Sequence, residues 1–316
     1  MTSSRLITLL LAVLAAPLPA ANPTTATTTP LGEEPAPATY TTIADVGKPF
    51  ELADGFELIL PQPAKMAGAL GSAQPLLLAD GRLFCAIVEG GVVKSTFSTD
   101  RGKTWTAPEL LDKHPDAAVK PGRPAMLQAH DGTLWVFYYG YVKYDAKNPA
   151  ACDSDVWAVR STDGGKTWTG RRRVFDGYVG MLQGAIQTKS GNLVVPLCHF
   201  HEPTRFIGGC AVSTDNGKTW LFAGPVDIGP EADAKQRIPY NGGAMEPTIV
   251  ELRDGRILML LRTITGRMWR SESRDGGLTW ARPQPSDFSC GGTIYITRLF
   301  SGRLALAWNP ANWDAP

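Results

Sequence analysis

The amino-acid sequence predicts an all-β fold and, within that class, a β-propeller. The chain has 33 Gly and 25 Pro among 316 residues, well above the share in an average soluble domain, which disfavours helical bundles, coiled coils and TIM barrels. An eight-residue motif recurs four times, and apolar strands joined by two-residue turns recur between its copies. Four-stranded units of roughly 50 residues in series are typical of propellers.

The N-terminal residues differ in composition from the rest of the chain. Arg5 precedes an apolar run from Leu6 to Ala16, and prolines and small residues follow it. This pattern predicts a signal peptide over residues 1–21, and hence a secreted or periplasmic protein. Residues 22–45 are rich in Thr, Pro and Ala, which predicts a solvated linker. We therefore expect the folded domain to occupy residues 46–316.

The charges and cysteines exclude several kinds of partner. The 31 basic and 30 acidic residues give a formal net charge of +1, too little for a nucleic-acid-binding surface. The N-terminal apolar run is too short to span a bilayer, and no other stretch is as long. The five cysteines lack metal-ligand spacing, and Cys198 and Cys210 are candidates for a disulfide. We expect a monomer with no nucleic acid, membrane span, metal or cofactor.

The repeated motif reads Ser-x-Asp-x-Gly-x-Thr-Trp and predicts a tight turn between two strands. Its copies are Ser98–Trp105, Ser161–Trp168, Ser213–Trp220 and Ser273–Trp280. The Asp side chain is expected to accept backbone N–H bonds within its own turn, and the Gly supplies a positive φ. The Trp ring is expected to pack between neighbouring sheets. The motif is therefore structural, and its Asp residues are not candidates for catalytic acids.

A second pattern marks the first two strands of each unit. An apolar segment leads to an Asp-Gly or Ser-Gly turn and a second apolar segment, with first strands starting near residues 74, 124, 183, 246 and 293. A copy of the eight-residue motif follows each of these pairs except the last. We expect Phe56–Leu60 to supply the outer strand of the last blade.

Strand alternation divides each unit between two ends. The two-residue turns and the eight-residue motifs share one end, whereas the starts of the first strands and the loops between second and third strands share the other. Because variable loops on a rigid scaffold usually carry function, we expect the functional site at this second end. The candidate residues at this end are Glu89, Arg123, Tyr139, Tyr141, Asp153, Asp155, Gln183, His199, His201, Glu202, Arg205, Asn241, Glu246, Arg262 and Asn309.

The repeated motifs resemble the Asp boxes of the sialidase (neuraminidase) superfamily, propellers of BNR-repeat type. The segment from Glu246-Pro247 to Arg262 also resembles a sialidase segment with Glu before a first strand and Arg after the second. The resemblance implies a six-bladed propeller with about five blades in this chain, incomplete at the C-terminus. It also implies that Glu246 polarises a tyrosine nucleophile and that Arg262 is the second of three arginines that bind a substrate carboxylate. The tyrosine and the third arginine are expected in the missing C-terminal part.

Other family positions match less closely. Ala73-Gln74-Pro75 stands where the family has Arg-Ile-Pro, so Arg123 is the expected substitute for the lost guanidinium. In the family, the catalytic acid lies in the first blade, in the loop between the second and third strands. Here that loop holds only Glu89 as an acidic residue. We therefore expect the acid to be Asp153 or Asp155, in the corresponding loop of the second blade. The remaining residues expected to bind substrate are Gln183, His199 and His201.

Three functions fit this pattern. The first is a secreted exo-glycosidase that hydrolyses terminal sialic acid or a related acidic sugar from glycans, so that its partner is a glycan with an acidic terminal sugar. The second is a propeller polysaccharide lyase or atypical glycosidase acting on uronate-bearing glycans, with a residue such as His199 as the base. The third is a non-catalytic glycan-binding propeller, since one fold hosts many functions.

Overall fold

The computed structural model describes residues 74–145, 148, 151–201, 205–229, 242–299 and 301–309, and the backbone of two further strands, β1 (Leu10–Leu14) and β2 (Phe56–Ile59). These residues form strands and turns without an α-helix, so none of them belongs to a helix that could cross a membrane. The strands make five sheets with almost entirely antiparallel pairing, which we number blades 1 to 5 along the chain. The predicted all-β class is confirmed.

Blades 1 and 2 each begin with short inner strands that pair with a longer second strand. Blade 1 consists of β3 (Leu76–Leu77), β4 (Leu83–Glu89), β5 (Val92–Ser98) and β6 (Glu109–Asp112). Blade 2 consists of β7 (Lys120–Pro121), β8 (Ala125–Gln128), β9 (Leu134–Lys143), β10 (Asp153–Ser161) and β11 (Thr169–Asp176), with β7 and β8 both paired to β9.

Blades 3 and 4 repeat this order. Blade 3 consists of β12 (Val179–Leu182), β13 (Ile186–Gln187), β14 (Leu193–His201), β15 (Arg205–Ser213) and β16 (Leu221–Val226), and β17 (Gly242–Gly243) pairs parallel to the start of β15. Blade 4 consists of β18 (Met245–Glu251), β19 (Ile257–Arg262), β20 (Arg267–Ser273) and β21 (Gln284–Ser289).

Blade 5 combines two parts of the chain. β22 (Ile294–Arg298) pairs with β23 (Leu304–Trp308), β23 pairs with β1, and β1 pairs with β2 at the outer edge. The prediction of an outer strand is confirmed for Phe56–Ile59, and the first strands of all five units lie close to their predicted starts. β1 lies within the predicted signal peptide, whose cleavage remains a prediction, as does a sixth blade. The predicted linker at 22–45 lies outside the described residues.

The core consists of layers between neighbouring blades. Alternate residues of β9 enter two of these layers, with Leu134 and Val136 facing blade 1 and Trp135 and Phe137 facing blade 3. All four side chains are fully buried. Because successive strand residues point to opposite faces, an inner strand that is apolar at every position fits between two other sheets.

The Asp boxes share one set of local hydrogen bonds. In the first box, Asp100 accepts bonds from the hydroxyl of Thr104 at 2.6 Å and from its backbone N–H at 2.9 Å, and Ser98 Oγ accepts one from the N–H of Gly102 at 2.8 Å. The Thr104 hydroxyl is the main cause that lowers the pKa of Asp100 to about 2. The predicted structural role of the boxes is confirmed.

Trp168, Trp220 and Trp280 lie between neighbouring blades, as predicted, whereas Trp105 packs on Cys85 and Ile87 of its own blade. All four box tryptophans are only half-buried. The rings of Trp220 and Phe137 of blade 2 have centroids 5.6 Å apart, and Trp168 stacks on Phe84 of blade 1 at the same distance. Each box lies at the end of a sheet, so one edge of its Trp ring stays open to solvent.

The turns and the Asp boxes lie together at one end of the blades. Arg82, which follows the blade 1 turn, donates to the carbonyl of Gly164 in the second box at 3.2 Å. Asn192 in the blade 3 turn donates to the carbonyl of Gly276 in the fourth box at 3.1 Å. This arrangement confirms the predicted division. We call this end the box end, and the opposite end, where the loops between second and third strands lie, the loop end.

Candidate functional site

Glu246 and Arg262 form an ion pair at the loop end of blade 4. β18 and β19 are antiparallel and joined by the Asp254-Gly255 turn, and their register places Met245 opposite Arg262. Arg262 Nη1 donates to Glu246 Oε1 at 2.7 Å, and the side chains of Arg262 and Glu246 are 16% and 14% exposed. The predicted convergence of these two residues is therefore confirmed, while their roles remain proposals.

The second oxygen of the Glu246 carboxylate is bound from the neighbouring blade. Thr293, just before β22, donates from its hydroxyl to Glu246 Oε2 at 3.0 Å. The backbone of Glu246 has φ 44°, which is unfavourable for a side chain with a Cβ, and the following Pro247 restricts that residue further. Such conformations persist where surrounding contacts hold them, and they concentrate at functional sites.

Two buried thiols flank the ion pair. Cys198 lies against the backbone of Gly180, Met181 and Glu246, and burial raises the pKa of its thiol to about 11. Burial likewise raises the pKa of Cys290 to about 11, and its thiol donates to the carbonyl of Gly292 at 3.2 Å. Both cysteines are therefore neutral near pH 7. The proposed disulfide between Cys198 and Cys210 is wrong, since both are free and buried.

Arg123 and Gln183 meet at one methionine. Arg123 Nη1 lies 3.6 Å from Met181 Sδ, and Gln183 Nε2 donates to the same sulfur at 3.2 Å. Because Met181 also borders Cys198, this cluster is connected to Glu246 through that thiol. Two of the predicted substrate-binding residues are thus brought together from blades 2 and 3.

A row of four tyrosines, the tyrosine wall, follows the seam between blades 2 and 3. The ring centroids of Tyr139 and Tyr141 are 4.9 Å apart, those of Tyr141 and Tyr144 are 5.1 Å apart, and those of Tyr141 and Tyr178 are 6.2 Å apart. Burial raises the pKa of Tyr141 and Tyr178 well above the usual value, so their phenols stay neutral. Tyr144 and Tyr178 were not among the sequence candidates.

The two candidate acids lie on β10, and no contact joins them to Glu246. Asp153 is exposed, whereas Asp155 is half-buried and lies 3.6 Å from Arg173, which also contacts Asp176 at 3.3 Å. Burial is the main cause that raises the pKa of Asp155. Asp155 shares a side of its strand with Trp157, which packs in the layer toward blade 1.

The two candidate histidines occupy different positions on β14. His199 packs against Phe175 and Phe222, with ring centroids 5.3 and 6.3 Å away, on the side of the strand opposite Cys198. The backbone of His201 pairs with Arg205 at the end of the strand. The side chain of His201 lies outside the described residues.

The other candidates at the loop end have local partners. Glu89 is ion-paired with Lys94, and Arg205 contacts Asp227 at 2.6 Å. The carbonyl of Asn309 accepts the N–H of Gly291 at 3.0 Å. The candidates outside the described residues are Glu202 and Asn241.

A cavity of about 510 Å³ runs along the inner strands of the blades, from Gln183 toward the box end. Lys189, Arg253, Tyr295 and Arg298 are among its lining residues. It therefore lies mainly at the end away from Glu246. Within the described ranges, no cluster of three or more His, Cys, Asp or Glu side chains is placed to hold a metal ion.

Sequence reasoning missed the residues that join the blades around Glu246. Thr293 occupies the same position before a first strand as Arg123 and Gln183. Its place in the repeat could therefore have identified it as a candidate site residue. Cys198 and Met181 carried no such signal, because their contacts depend on how neighbouring sheets pack.

Comparison with known proteins relates this architecture to BNR-repeat proteins. The family model described as BNR repeat-like domain matches residues 90–313. A crystal structure of a protein of unknown function from Dyadobacter fermentans is 22% identical, with 75% of this chain and 74% of that chain covered and a TM-score of 0.59.

Two solved sialidases have the same fold. The Hadza microbial sialidase Hz136 is 18% identical, with 74% of this chain and 52% of that chain covered and a TM-score of 0.54. The intramolecular trans-sialidase from Ruminococcus gnavus is 16% identical, with 74% of this chain and 76% of that chain covered and a TM-score of 0.53. This chain therefore spans about half the length of the Hadza sialidase Hz136. The likeness establishes a sialidase-like propeller fold, as predicted.

Proposed function

Because this chain belongs to the BNR repeat-like domain family, we propose that it is a secreted or periplasmic glycoside hydrolase of sialidase type, which removes a terminal sialic acid or a related acidic sugar from glycans. The main support is the Glu246–Arg262 ion pair, nearly buried at the loop end and held there by Thr293 on a strained backbone.

Arg262 is the proposed anchor for the sugar carboxylate. A guanidinium has five N–H donors in a plane, so Arg262 can hold Glu246 and bind a second carboxylate at the same time. Low exposure strengthens such a charge-assisted contact, because less water competes for it. Arg123 supplies a second guanidinium beside Met181.

Glu246 is the proposed activator of the nucleophile, following the family resemblance, in which a Glu polarises a tyrosine. A neutral tyrosine suits a sugar that carries its carboxylate on the anomeric carbon, because an attacking carboxylate would be repelled. Of the two candidate acids, Asp155 is favoured, because its raised pKa keeps a proton available at higher pH. Delivery of that proton requires the substrate to reach β10.

A non-catalytic glycan-binding protein is the second candidate. One observation favours it: both candidate acids lie on β10 of blade 2, where Asp155 pairs with Arg173, whereas Glu246 and Arg262 lie in blade 4. The lyase alternative has less support, because His199 packs between two Phe rings rather than beside the pair.

Hydrolysis of an aryl sialoside by the purified full chain tests the proposal. We expect turnover by the wild type and a fall in kcat of about 100-fold or more in Glu246→Gln, the scale of a lost acid–base group. Glu272→Gln is the matched control, since Glu272 pairs with Arg256 in the same blade and should leave kcat unchanged. Absence of turnover by the wild type, or equal kcat in Glu246→Gln, would contradict the proposal.

A further inference from the structure

The cavity along the inner strands carries positive charges at the box end that the acidic-sugar site leaves unexplained. Lys189, Arg253 and Arg298 line it from blades 3, 4 and 5, and all three residues are exposed. Glu251 adds one negative charge to the same lining. Three cations and one carboxylate give the described lining a net charge of +2. We call these four residues the cationic rim.

A repeated contact between blades builds this rim. The backbone N–H of His130, in the turn of blade 2, donates to Gln187 Oε1 of blade 3 at 2.6 Å. The N–H of Lys189, in the turn of blade 3, donates to Glu251 Oε2 of blade 4 at 2.9 Å. Gln187 and Glu251 are the last residues of β13 and β18. The turns that surround the cavity are therefore held relative to one another by the scaffold.

Blade 5 places an arginine at the position of these acceptors. Arg298 is the last residue of β22, as Gln187 and Glu251 are of their strands, but a guanidinium has no acceptor atom. Instead, Arg298 Nη1 donates to the carbonyl of Gly302 at 2.7 Å, and Nη2 donates to the carbonyl of Glu251 at 2.6 Å. Both partners are neutral, so the charge of Arg298 is fixed in place without being neutralised.

The other two cations of the rim are also not neutralised by a carboxylate. Lys189 Nζ donates to the carbonyl of Arg253 at 2.8 Å. The guanidinium of Arg253 lies over the turn of blade 5, where a Cβ on Gly302 would be 3.2 Å from Nη2. In the part of the chain that the structure describes, none of the three cations is ion-paired. The rim therefore attracts an anion from solution.

The cavity behind the rim has the size and the walls of a small-molecule site. Its volume of about 510 Å³ lies within the usual range for ligand pockets, about 300–1,000 Å³. Met126, Ile249 and Ile296 line it together with Tyr295. Ligand pockets typically combine apolar walls with a few polar groups that fix the orientation of the ligand. A molecule with an anionic head and an apolar body matches both parts.

We propose that the cationic rim and the cavity behind it form a second binding site, which takes a small organic anion with its carboxylate, sulfonate or phosphate head at the rim and its apolar body between the blades. This site lies at the end of the propeller opposite the Glu246–Arg262 pair. Its occupation therefore requires neither an acidic sugar nor glycoside hydrolysis.

Fluorescence titration of the full chain with anilinonaphthalene sulfonate is the direct test, and the uncharged phenylnaphthylamine is the matched probe. We expect the affinity for the sulfonate to fall about two- to fivefold in Arg253→Ala, the scale of one exposed ion pair. Added salt should weaken sulfonate binding by the wild type, because it screens the rim. Arg253→Lys keeps the charge and should retain most of the affinity. Arg274→Ala removes an exposed arginine from the Asp box of the same blade and should have no effect.

The outcomes separate this site from the proposed function. The uncharged probe should bind equally to Arg253→Ala and wild type, and Arg262→Ala should leave sulfonate binding unchanged. Sulfonate binding that depends on Arg253, in a protein without sialoside hydrolysis, would support this site and reject the hydrolase. Equal sulfonate affinity of Arg253→Ala and wild type, or sulfonate binding that is insensitive to salt, would overturn the site even if sialosides are hydrolysed.

Discussion

The box end and the loop end of the propeller hold their carboxylates in opposite ways. At the box end, Asp100 finds its hydrogen-bond donors within its own eight-residue motif, and the other boxes repeat the arrangement. At the loop end, Glu246 is held by Arg262 of its own blade and by Thr293 of the next. The scaffold therefore depends on hydrogen bonds within local motifs, whereas the candidate site depends on contacts between neighbouring blades.

The carboxyl groups at the two ends also differ in the direction of their pKa shifts. Hydroxyl and backbone donors lower the pKa of the box carboxyls, whereas burial raises the pKa of Asp155 at the loop end. The box carboxyls are therefore charged at neutral and mildly acidic pH and serve as structural acceptors. A carboxyl with a raised pKa is closer to the range in which it can donate a proton.

The largest expected effect concerns stability at the box end. Trp220→Ala should lower the free energy of unfolding by about 3 kcal/mol, because the ring fills the seam against Trp135 and Phe137 of the preceding blade. Trp105→Ala is the matched control, since Trp105 packs on residues of its own blade, and it should cost less. Denaturant unfolding measures both, and equal losses would show that the seam contact is unimportant.

A smaller effect is expected for the contact between blades at the loop end. Thr293→Val should lower kcat/KM for a sialoside about five- to tenfold, the scale of a typical intramolecular hydrogen bond. That bond holds the Glu246 carboxylate in place, so its loss should lower kcat more than it changes KM. Thr293→Ser keeps the hydroxyl and should restore kcat. An unchanged kcat in Thr293→Val would contradict the positioning role.

The smallest expected effect is a difference in pH dependence between the two ends. The pKa of a box carboxyl such as Asp163 is lower in the folded than in the unfolded state. The stability that this carboxyl contributes is therefore present above the unfolded pKa and is lost as the pH falls. The melting temperature should accordingly drop as the pH is lowered from about 5 to about 2. Asp163→Asn should reduce that drop. Asp155 has a raised pKa, so its contribution has the opposite sign, and Asp155→Asn should not lower the melting temperature at pH 7. A lower value in Asp155→Asn would contradict the assignment.

The sequence predicted what depends on local spacing. The boxes and the two-residue turns carry their own hydrogen-bonding residues, so the strands and the two ends followed from them. The offset of 16 residues from Glu246 to Arg262, with a turn midway, was sufficient to place the two side chains together. Each of these predictions required only the geometry of one blade.

Contacts between blades could not be predicted in this way. Thr293 reaches Glu246, and Arg123 reaches Met181, because separate sheets pack at a particular rotation that local spacing does not encode. Alternation on β14 separates His199 from Cys198, but it does not reveal which face meets Glu246. The half-burial of the box tryptophans also depends on the sheet ends, which the motif alone does not describe.

We propose that the loop end binds an anionic sugar through Arg262. Calorimetric titration of the full chain with sialic acid tests it most directly, with Arg256→Ala as control because Arg256 is ion-paired in the same blade at the box end. We predict that sialic acid binds to wild type and Arg256→Ala alike, and about 10- to 100-fold more weakly to Arg262→Ala, the scale of a hydrogen bond to a charged group. Equal affinity of Arg262→Ala and wild type, or binding of galactose as tight as that of sialic acid, would contradict it.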